Sequence, residues 1–346
     1  MFSITLIAGA RPNFVKIAPI LGALEQALSK GFKITWRLVH TGQHYDTKMS
    51  GSFFEQLGIP EPHANLECGG GTQAEQTANI MVRFEQELLV HPADLVLVVG
   101  DVTSTMACSI TAKKLQVQVA HIEAGIRSGD LAMPEEINRI VTDALADQFF
   151  TTTEAAGENL RKTGVPEHRI HWVGNTMIDT LLSNLDRLQD PEIMAFGKPL
   201  NPGAYFVLTM HRPRNVDQQT RLSAFMTAII DGTGTDPVIF PVHPRTAKTL
   251  EQLGIAHPRL ILVDPLPYLE FNYLVKNARA VITDSGGITE EASVLGVPCL
   301  TLRDNTERPE TITLGTNELV GTNPDRLAPH LKKILDGKRK SGNPIP

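Results

Sequence analysis

Short apolar runs alternate with longer stretches of helical periodicity along almost the whole chain. Ile4 to Ala8 has the composition of a buried strand, GARPN follows it as a loop, and Phe14 to Leu28 has the spacing of a helix. This order of strand and helix then repeats, as parallel neighbouring strands require, because each strand must be reached by a crossover. The pattern therefore predicts an α/β fold with doubly wound parallel sheets.

The same rhythm places the other elements of the first half. Further strands are predicted at Ile34 to His40, Leu95 to Val99, Val117 to Ile122, Gln148 to Thr152 and Ile170 to Val173. Helices are predicted at Lys48 to Leu57, Ala74 to Leu89, Thr103 to Leu115, Glu135 to Ala146, Glu154 to Thr163 and Met177 to Leu188.

Residues 190–203 interrupt this rhythm with three prolines and two glycines, and we interpret them as a linker. They separate a first domain, residues 1–189, from a second, residues 204–346. In the second, strands are predicted at Tyr205 to Thr209, Val238 to Val242, Leu260 to Val263, Ala280 to Thr283, Cys299 to Leu302 and Glu318 to Val320. Helices are predicted at Gln218 to Asp231, Thr246 to Leu253, Tyr268 to Lys276, Ile288 to Leu295 and Asp325 to Leu335. We expect two Rossmann-like domains facing across a cleft.

Composition narrows the class of protein. The 346 residues are 42% hydrophobic and carry a formal charge of −6, which suits two ordinary cores and argues against a nucleic-acid binder. Three cysteines, Cys68, Cys108 and Cys299, are odd in number and lack a CxxC pattern, so buried reduced thiols in the cytoplasm are expected. No apolar stretch approaches the roughly 20 residues of a membrane span, and Met1 to Ala10 has the pattern of a first strand rather than of a signal peptide.

The segment HIEAGIRSGDLAMPEEINR, residues 121–139, concentrates acidic side chains at a predicted sheet edge. Glu123 directly follows an apolar strand, and open α/β sheets bind ligands at the carboxyl ends of their strands. Pro134 predicts a helix start, so Glu135 and Glu136 lie in the first turn, where favouring the helix dipole is the alternative role for either one. Carboxylates gathered at such an edge can have their pKa values pushed apart, as acid/base chemistry requires.

In the second half, TDSGGITEEA passes from a strand into a helix through Ser285, Gly286 and Gly287. Glycines let an anion approach the backbone, and the free N–H groups of a helix start are donors for phosphate. In the RDNTERPE segment that follows the next strand, Arg303 and Arg308 could offer planar forks to the same phosphate. The sequence lacks a Walker GxxxxGK[ST] and a GxGxxG motif, so neither ATP nor NAD is indicated.

Other candidate residues follow predicted strands. His211 and Arg212 come after the first strand of the second domain, and histidine is the usual proton carrier near neutral pH. In the first domain, Arg11 and Lys16 follow the first strand and Asp101 follows another. The alternatives are helix capping for Asp101, solvent contact for Lys16 and an exposed helix position for the acid Glu291. Histidines and acids show no metal-ligand spacing, so no metal is expected.

Motifs along nearly the whole chain resemble those of one family. In order, they are GARPNFVKIAP, TGQHYD, VVGDVTST, HIEAGIRSGD, MPEEINR, VGNTMIDTL, HRPRNVD, PVHPRT, TDSGGITEEA and RDNTERPE. The chain thereby resembles the non-hydrolysing UDP-N-acetylglucosamine 2-epimerases, which have the two-domain GT-B fold. The resemblance implies catalytic roles for Asp101, Glu123, Glu135 and His211. It implies substrate binding by Arg11, Lys16, Arg212, Phe271, Ser285, Gly286, Gly287, Glu291 and Arg308, with Ser285 to Gly287 at the diphosphate, Glu291 at the ribose and Arg308 at a phosphate.

The resemblance also implies a reaction and a setting. UDP is eliminated across C1 and C2 of the sugar, then added back to the 2-acetamidoglucal after a proton returns to the other face of C2. Neither a redox cofactor nor a metal is required, and the product, UDP-N-acetylmannosamine, is a precursor of cell-surface polysaccharides. A cytoplasmic homodimer is expected, with a UDP-sugar as its ligand and with neither nucleic acid nor membrane as a partner.

The chain departs from the family pattern at several positions. Asn13 stands where many members have Glu, and Arg214 stands where many have Glu after His-Arg. Some bacterial members bind a second substrate molecule as an activator, and Gln43 and His44 match two of the residues involved, whereas Asp46 replaces a Gln. The pattern therefore gives only partial support to a regulatory site at Gln43 and His44.

Three functions remain open on the sequence. The first is epimerisation of UDP-N-acetylglucosamine, and the second is 2-epimerisation of a UDP-2,3-diacetamido uronic acid. The third is a GT-B glycosyltransferase or a nucleotide-sugar binding protein without catalysis. RDNTERPE favours the first over the second, and the acidic segment around Glu123 favours an isomerase over a transferase.

Overall fold

The structure, a computed structural model, describes residues 1–42 and 53–342, with the backbone alone at Arg11 and Pro213. By its internal contacts the chain divides into two compact units, Met1–Ser183 and Asn184–Pro346. Each unit is built on its own parallel sheet.

In the first unit, seven described strands pair in the order β3-β2-β1-β4-β5-β6-β7, with every neighbouring pair parallel. The strands are β1 Phe2–Ala8, β2 Ile34–His40, β3 Ala64–Asn65, β4 Leu95–Val99, β5 Gln118–Ile122, β6 Gln148–Thr151 and β7 Ile170–Trp172. The helices are α1 Arg11–Ser29, α2 Gln73–Val90, α3 Thr103–Lys114, α4 Pro134–Leu145, α5 Glu154–Lys162 and α6 Thr176–Ser183, and residues 53–57 are also helical. A 3₁₀ turn covers Glu167–Arg169.

In the second unit, six described strands repeat the plan in the order β12-β11-β10-β13-β14-β15, again all parallel. They are β10 Phe206–Thr209, β11 Val238–Pro241, β12 Leu260–Val263, β13 Ala280–Thr283, β14 Cys299–Thr301 and β15 Asn317–Leu319. The helices are α7 Pro213–Val216, α8 Gln219–Gly232, α9 Pro244–Gln252, α10 Tyr268–Lys276, α11 Gly286–Val294, α12 Pro309–Thr313 and α13 Leu327–Leu335. The 3₁₀ turns are Leu185–Arg187 and Pro324–Arg326.

Both strand orders are those of doubly wound Rossmann-like sheets, so the predicted α/β class is confirmed. The central strands are mostly apolar because helices cover both faces of the sheet, as Val96 and Val98 of β4 and Phe206 to Leu208 of β10 illustrate. In each sheet the order reverses between two central strands, β1 and β4 in one and β10 and β13 in the other. Ligands of such sheets bind at the carboxyl ends of the strands beside this reversal.

Several predicted boundaries were wrong. GARPN was expected to be a loop, but α1 begins at Arg11, with Pro12 in its first turn. The helix expected from Ile288 begins at Gly286. Residues 190–203, interpreted as a linker, belong to the second unit, where β8 Met194–Ala195 and β9 Lys198–Pro199 form a small antiparallel hairpin. The three cysteines are free and buried, as predicted.

Candidate active site

Glu123 lies at the carboxyl end of β5 in a strained backbone conformation. Its φ is +72°, in the left-handed region that a side chain other than glycine rarely adopts. The N–H groups of Glu123 and Ala124 both donate to the carbonyl of Phe150, at 2.9 and 3.1 Å, which holds the turn in place. The side chain is 6% exposed. Strain of this kind, kept at the ligand-binding edge of a sheet, is a mark of a functional residue.

The Glu123 carboxylate forms an ion pair with Lys16, which α1 brings across from the end of β1. Lys16 is therefore not the solvent-facing residue offered as its alternative role. Gly100 makes room for the pair: a Cβ at Gly100 would lie 3.1 Å from Lys16 Nζ and 3.3 Å from Glu123 Oε2. The ion pair holds both side chains at the carboxyl edge of the sheet.

Asn13 connects the strands on either side of the sheet reversal. Its Oδ1 accepts from the N–H groups of Gly9 and Ala10 at 2.9 and 3.1 Å, and its Nδ2 donates to the carbonyl of Val99 at 2.9 Å. The amide therefore binds donors and an acceptor at once, which the carboxylate of a glutamate could not do. Asn13 is buried, so it supports the site from below rather than facing a ligand.

Asp101 follows β4 and is held by two residues of α4. Arg139 Nε lies 3.1 Å from Asp101 Oδ2, and Asn138 Nδ2 donates to the Asp101 carbonyl at 2.8 Å. Helix α3, which follows Asp101, has Val102 as its N-cap. A third of the Asp101 side chain is exposed, which leaves the carboxylate accessible while its position is fixed.

Helix α4 buries a polar face. Its buried residues are all polar, whereas Ile137 and Ile140 are 42% and 40% exposed, the reverse of an ordinary amphipathic helix. The buried residues are Glu136, Asn138, Arg139, Thr142 and Asp143. This face therefore serves to hold the loops that follow β4 and β5.

The adjacent acids Glu135 and Glu136 have different surroundings. Glu135 is exposed in the first turn of α4. Glu136 is buried, accepts from the N–H groups of Ser128 and Gly129 at 3.0 Å, and pairs with Arg139 at 2.7 Å. Of the two, only Glu135 is accessible to a ligand.

His121, the second-last residue of β5, has a polar neighbour at each ring nitrogen. Its Nδ1 lies 2.6 Å from Asp143 Oδ1 and its Nε2 lies 2.8 Å from the Gly100 carbonyl. Asp143 also accepts from the Gly125 N–H and pairs with Arg127 at 2.6 Å. Burial opposes ionisation of Asp143, but His121 and Arg127 outweigh it and keep the pKa of this carboxyl below its usual value.

In the second unit, His211 follows β10 and pairs with Asp284, which follows β13. The imidazole Nδ1 lies 2.8 Å from Asp284 Oδ1, and the backbone N–H of His211 donates to the same carboxylate. Because Asp284 holds Nδ1, Nε2 is left as the nitrogen that can reach a substrate. The His211 side chain is 62% exposed, and that of Asp284 is fully buried.

Asp284 was not among the predicted site residues. Burial raises its pKa, but hydrogen bonds from His211, Asn215 and the Arg212 backbone outweigh burial, so the pKa lies below its usual value. The available signal was register: β10 and β13 are parallel neighbours with Thr209 opposite Thr283, so the residues beyond them meet at one edge. Arg212 also donates through Nε to the Asp284 carbonyl at 3.0 Å.

The Ser-Gly-Gly turn forms the N-terminus of α11. Ser285 is the N-cap and donates its N–H to Thr283 Oγ1 at 3.0 Å, while Gly286 and Gly287 are the first two helical residues. The N–H groups of a first helical turn lack intrahelical partners and carry the positive end of the dipole. This geometry suits a phosphate.

Arg303 and Arg308 lie near this turn, and both are buried. Arg308 Nε is 3.2 Å from Glu290 Oε1, and Arg303 Nη2 is 2.6 Å from Glu307 Oε2. Both guanidinium groups are therefore held in place by carboxylates.

Glu291 is buried on α11 and accepts a hydrogen bond from the Tyr268 hydroxyl at 3.0 Å. Burial raises the pKa of Glu291 to about 7, against the opposing effect of Tyr268 and Asn272. The alternative interpretation of Glu291, as an exposed acid on a helix, is therefore wrong. Phe271 is half-buried beside these residues on α10, packed against the sheet core.

Some expectations fall outside these observations. Gln43 and His44 lie outside the described residues, and the Arg11 side chain is not described. Within residues 1–42 and 53–342, no three His, Cys, Asp or Glu side chains are placed to hold a metal ion. None of the helices in those ranges is long and apolar enough to cross a membrane.

The sheet edges beside the two reversals of strand order carry different functional groups. In the first unit Glu123 and Asp101 are positioned acids, and in the second a histidine, arginines and a helix N-terminus suit an anion. A family model described as UDP-N-acetylglucosamine 2-epimerase matches residues 26–344. The chain belongs to this family. The GT-B class expected from the motifs is confirmed with it.

Individual relatives agree. The UDP-N-acetylglucosamine 2-epimerase of Methanocaldococcus jannaschii is 41% identical over 99% of this chain and 94% of its own length. The UDP-2,3-diacetamido-2,3-dideoxy-D-glucuronate 2-epimerase of Pseudomonas aeruginosa is 40% identical over 96% of this chain and 92% of its own. Both are enzymes that epimerise a nucleotide sugar.

Solved structures cover the whole chain. The structure of the M. jannaschii enzyme in complex with UDP-GlcNAc and UDP matches with a TM-score of 0.88 at 39% identity, over 100% of this chain and 96% of that one. That of the Neisseria meningitidis enzyme bound to UDP-GlcNAc matches with a TM-score of 0.88 at 30% identity, over 99% and 95%.

Proposed function

We propose that this epimerase-family enzyme catalyses the reversible C2 epimerisation of UDP-N-acetylglucosamine to UDP-N-acetylmannosamine, for polysaccharide precursor synthesis. The observation that carries the proposal is Glu123: a buried, strained carboxylate paired with Lys16 at the ligand-binding edge of a sheet. The names of relatives that are UDP-N-acetylglucosamine 2-epimerases support UDP-N-acetylglucosamine as the substrate.

The reaction needs a base and an acid on opposite faces of C2. One carboxylate removes the C2 proton while the C1–O bond to UDP breaks, which gives the 2-acetamidoglucal. A second group then delivers a proton to the other face, and UDP adds back at C1. Glu123, Asp101 and Glu135 are the proposed acids and bases, with each properly placed group contributing roughly 10² to 10⁴ in rate.

The leaving UDP is the proposed ligand of the second unit. The N–H groups at Gly286 and Gly287, with Arg308 and Arg212, would stabilise the diphosphate charge. His211, held by Asp284, would donate to the departing oxygen.

Other site residues would bind the rest of the substrate. Glu291 would accept from ribose hydroxyls, with Phe271 beside the nucleoside. Arg11 and Lys16 would contact the sugar. No cofactor takes part in the proposed reaction.

The decisive experiment is incubation with UDP-N-acetylglucosamine in heavy water, without an acceptor, followed by NMR. We expect UDP-N-acetylmannosamine with deuterium at C2. A product that keeps its original C2 hydrogen would contradict elimination. In a second incubation with an acceptor added, transfer of the sugar to that acceptor would indicate a glycosyltransferase instead.

A second candidate substrate is a UDP-2,3-diacetamido uronic acid, because the P. aeruginosa relative is about as similar as the M. jannaschii one. The kcat/KM values for the two substrates decide between them. We also propose that the protein is a cytoplasmic homodimer. Light scattering after gel filtration tests the oligomeric state, and cell fractionation tests the location.

A further inference from the structure

The side chain of Glu307 lies at the N-terminus of α11. Its Oε1 is 3.1 Å from the point that a Cβ on Gly286 would occupy. Because glycine has no Cβ, the carboxylate can lie close to the first turn of the helix. Helix α11 has nine residues, and the positive end of its dipole favours an anion there. Glu307 comes from the loop after β14, well separated in sequence from the helix that it contacts.

Cationic side chains surround the same carboxylate. Arg303 Nη2 lies 2.6 Å from Glu307 Oε2, and Arg212 Nη2 lies 4.0 Å from Oε1. A carboxylate between two guanidinium groups and a helix N-terminus has the surroundings that proteins use for phosphate.

Arg303 has more donors than these partners use. Only 3% of the residue is exposed, yet within the described part of the chain its Nε and Nη1 have no hydrogen-bond partner. Nη1 is 3.8 Å from the same point above Gly286. Unsatisfied buried donors are costly, so two of them on one guanidinium group, with Nη1 near a helix N-terminus, indicate a ligand richer in acceptor oxygens than one carboxylate. A phosphate offers such oxygens.

We propose that the Glu307 carboxylate and the diphosphate of the nucleotide compete for one cradle, formed by the N-terminus of α11, Arg303 and Arg212. Glu307 must turn away for the diphosphate to bind, because two anions in this space repel each other. When it returns, it takes over the same cations and so assists release of UDP. The inference rests on the proposed function and adds Arg303 and Glu307 to the residues that determine UDP affinity.

The alternative is that Glu307 only orients Arg303 for the phosphate. The two roles predict opposite effects of Glu307→Gln, which keeps the size of the side chain and removes its charge. Competition predicts tighter UDP binding, whereas orientation predicts weaker binding, because Arg303 loses its partner.

The test is calorimetry of UDP and of inorganic pyrophosphate with the full-length protein. Under competition Glu307→Gln binds both ligands roughly tenfold more tightly. Glu307→Asp, in which the carboxylate is withdrawn by one methylene, gives a smaller gain and serves if the glutamine variant does not fold. The matched control is Asp236→Asn: Asp236 pairs with Arg279 near the amino ends of the strands in the same unit, and the variant makes the same charge change.

Each outcome decides something. Unchanged or weaker binding by Glu307→Gln, or an equal gain in Asp236→Asn, overturns the competition. Failure of the wild-type protein to bind UDP at all contradicts the proposed function instead. Wild-type binding without epimerisation also counts against the proposed function alone, since the competition is measured on binding.

Discussion

Asp143 Oδ1 lies 2.6 Å from His121 Nδ1, and both side chains are buried beneath the turns that carry Asp101 and Glu123. The second ring nitrogen of His121 lies 2.8 Å from the Gly100 carbonyl, which can only accept a hydrogen bond. Nε2 therefore carries a hydrogen. The pair connects α4, β5 and the turn after β4, so the position of Asp101 depends on residues that no ligand needs to touch.

Asp143→Asn should test this dependence. An amide cannot accept from His121, Gly125 and Arg127 together, so we expect a loss of roughly 1 to 3 kcal/mol in unfolding free energy. We also expect about a tenfold lower kcat with unchanged UDP affinity, because the proposed UDP site is in the other unit. Urea denaturation, turnover and calorimetry measure the three quantities.

The control for that variant is Asp147→Asn. Asp147 also holds a backbone N–H, that of Val119, and pairs with Lys113, but it precedes β6 at the other end of the strands. It should lose stability without the fall in kcat. Equal kcat in Asp143→Asn and the wild type would show that the His121–Asp143 pair has no role in positioning.

Asp284→Asn should impair His211 without removing it. The asparagine keeps the size of the side chain but loses the charge that orients Nδ1, so we expect turnover to fall roughly 10²-fold. UDP affinity should change much less, because the Gly286 and Gly287 N–H groups remain. If His211→Asn and Asp284→Asn each reduce turnover and the double variant is no worse than either, the two act as a unit; additive losses would contradict the pair.

Glu291 should make the stability of the second unit depend on pH. Its pKa is about 7 in the folded protein, above its usual value of 4.5. Between these values the folded state binds more protons than the unfolded chain, so stability falls as pH rises through this window and is constant above it. The full effect is roughly 3 kcal/mol, and Glu291→Gln should abolish it. Unfolding free energies measured at pH 5 and pH 8 give the comparison, and the same slope in both proteins would exclude Glu291 as its source.

Arg308→Ala should destabilise the protein as well as weaken UDP binding. It leaves Glu290 buried without its guanidinium partner, at a cost of about 3 to 5 kcal/mol. Adding Glu290→Gln should restore most of that stability, whereas UDP affinity should stay lower by about 1.5 to 3 kcal/mol. Full recovery of UDP affinity in the double variant would remove Arg308 from the phosphate site.

Local pattern was sufficient for the sheets. β2 and β4 run over the residues predicted for them, because β4 is a short apolar run and β2 begins with alternating apolar and polar residues. The same rule places Glu123, Asp101 and His211 just beyond strand ends, as the structure has them. The start of α1 at Arg11, which was predicted wrongly, could also have been predicted, since proline favours a first helical turn.

Contacts between residues far apart in the sequence could not be predicted. Lys16 and Glu123 are 107 positions apart, and no periodicity relates them. The polar face of α4 has the spacing of a solvent-exposed face, yet Arg139 and Asp143 are buried because the loops after β4 and β5 supply their partners. Sequence patterns report where apolar residues recur, so they cannot predict which polar side chains are buried in a network.

The last prediction concerns the two candidate bases. Glu123→Gln should keep UDP binding and lose roughly 10² or more in turnover, because an amide cannot remove a proton at neutral pH. Glu135→Gln should show a similar loss, because its exposed carboxylate is the other proposed base. Exchange of the C2 hydrogen in heavy water, followed separately from epimer formation, tells which carboxylate acts on which face. A variant that exchanges deuterium into recovered substrate without forming epimer has lost the group on the opposite face. Full turnover in both variants would mean that neither residue is the base, and the buried position of Glu123 would then be structural.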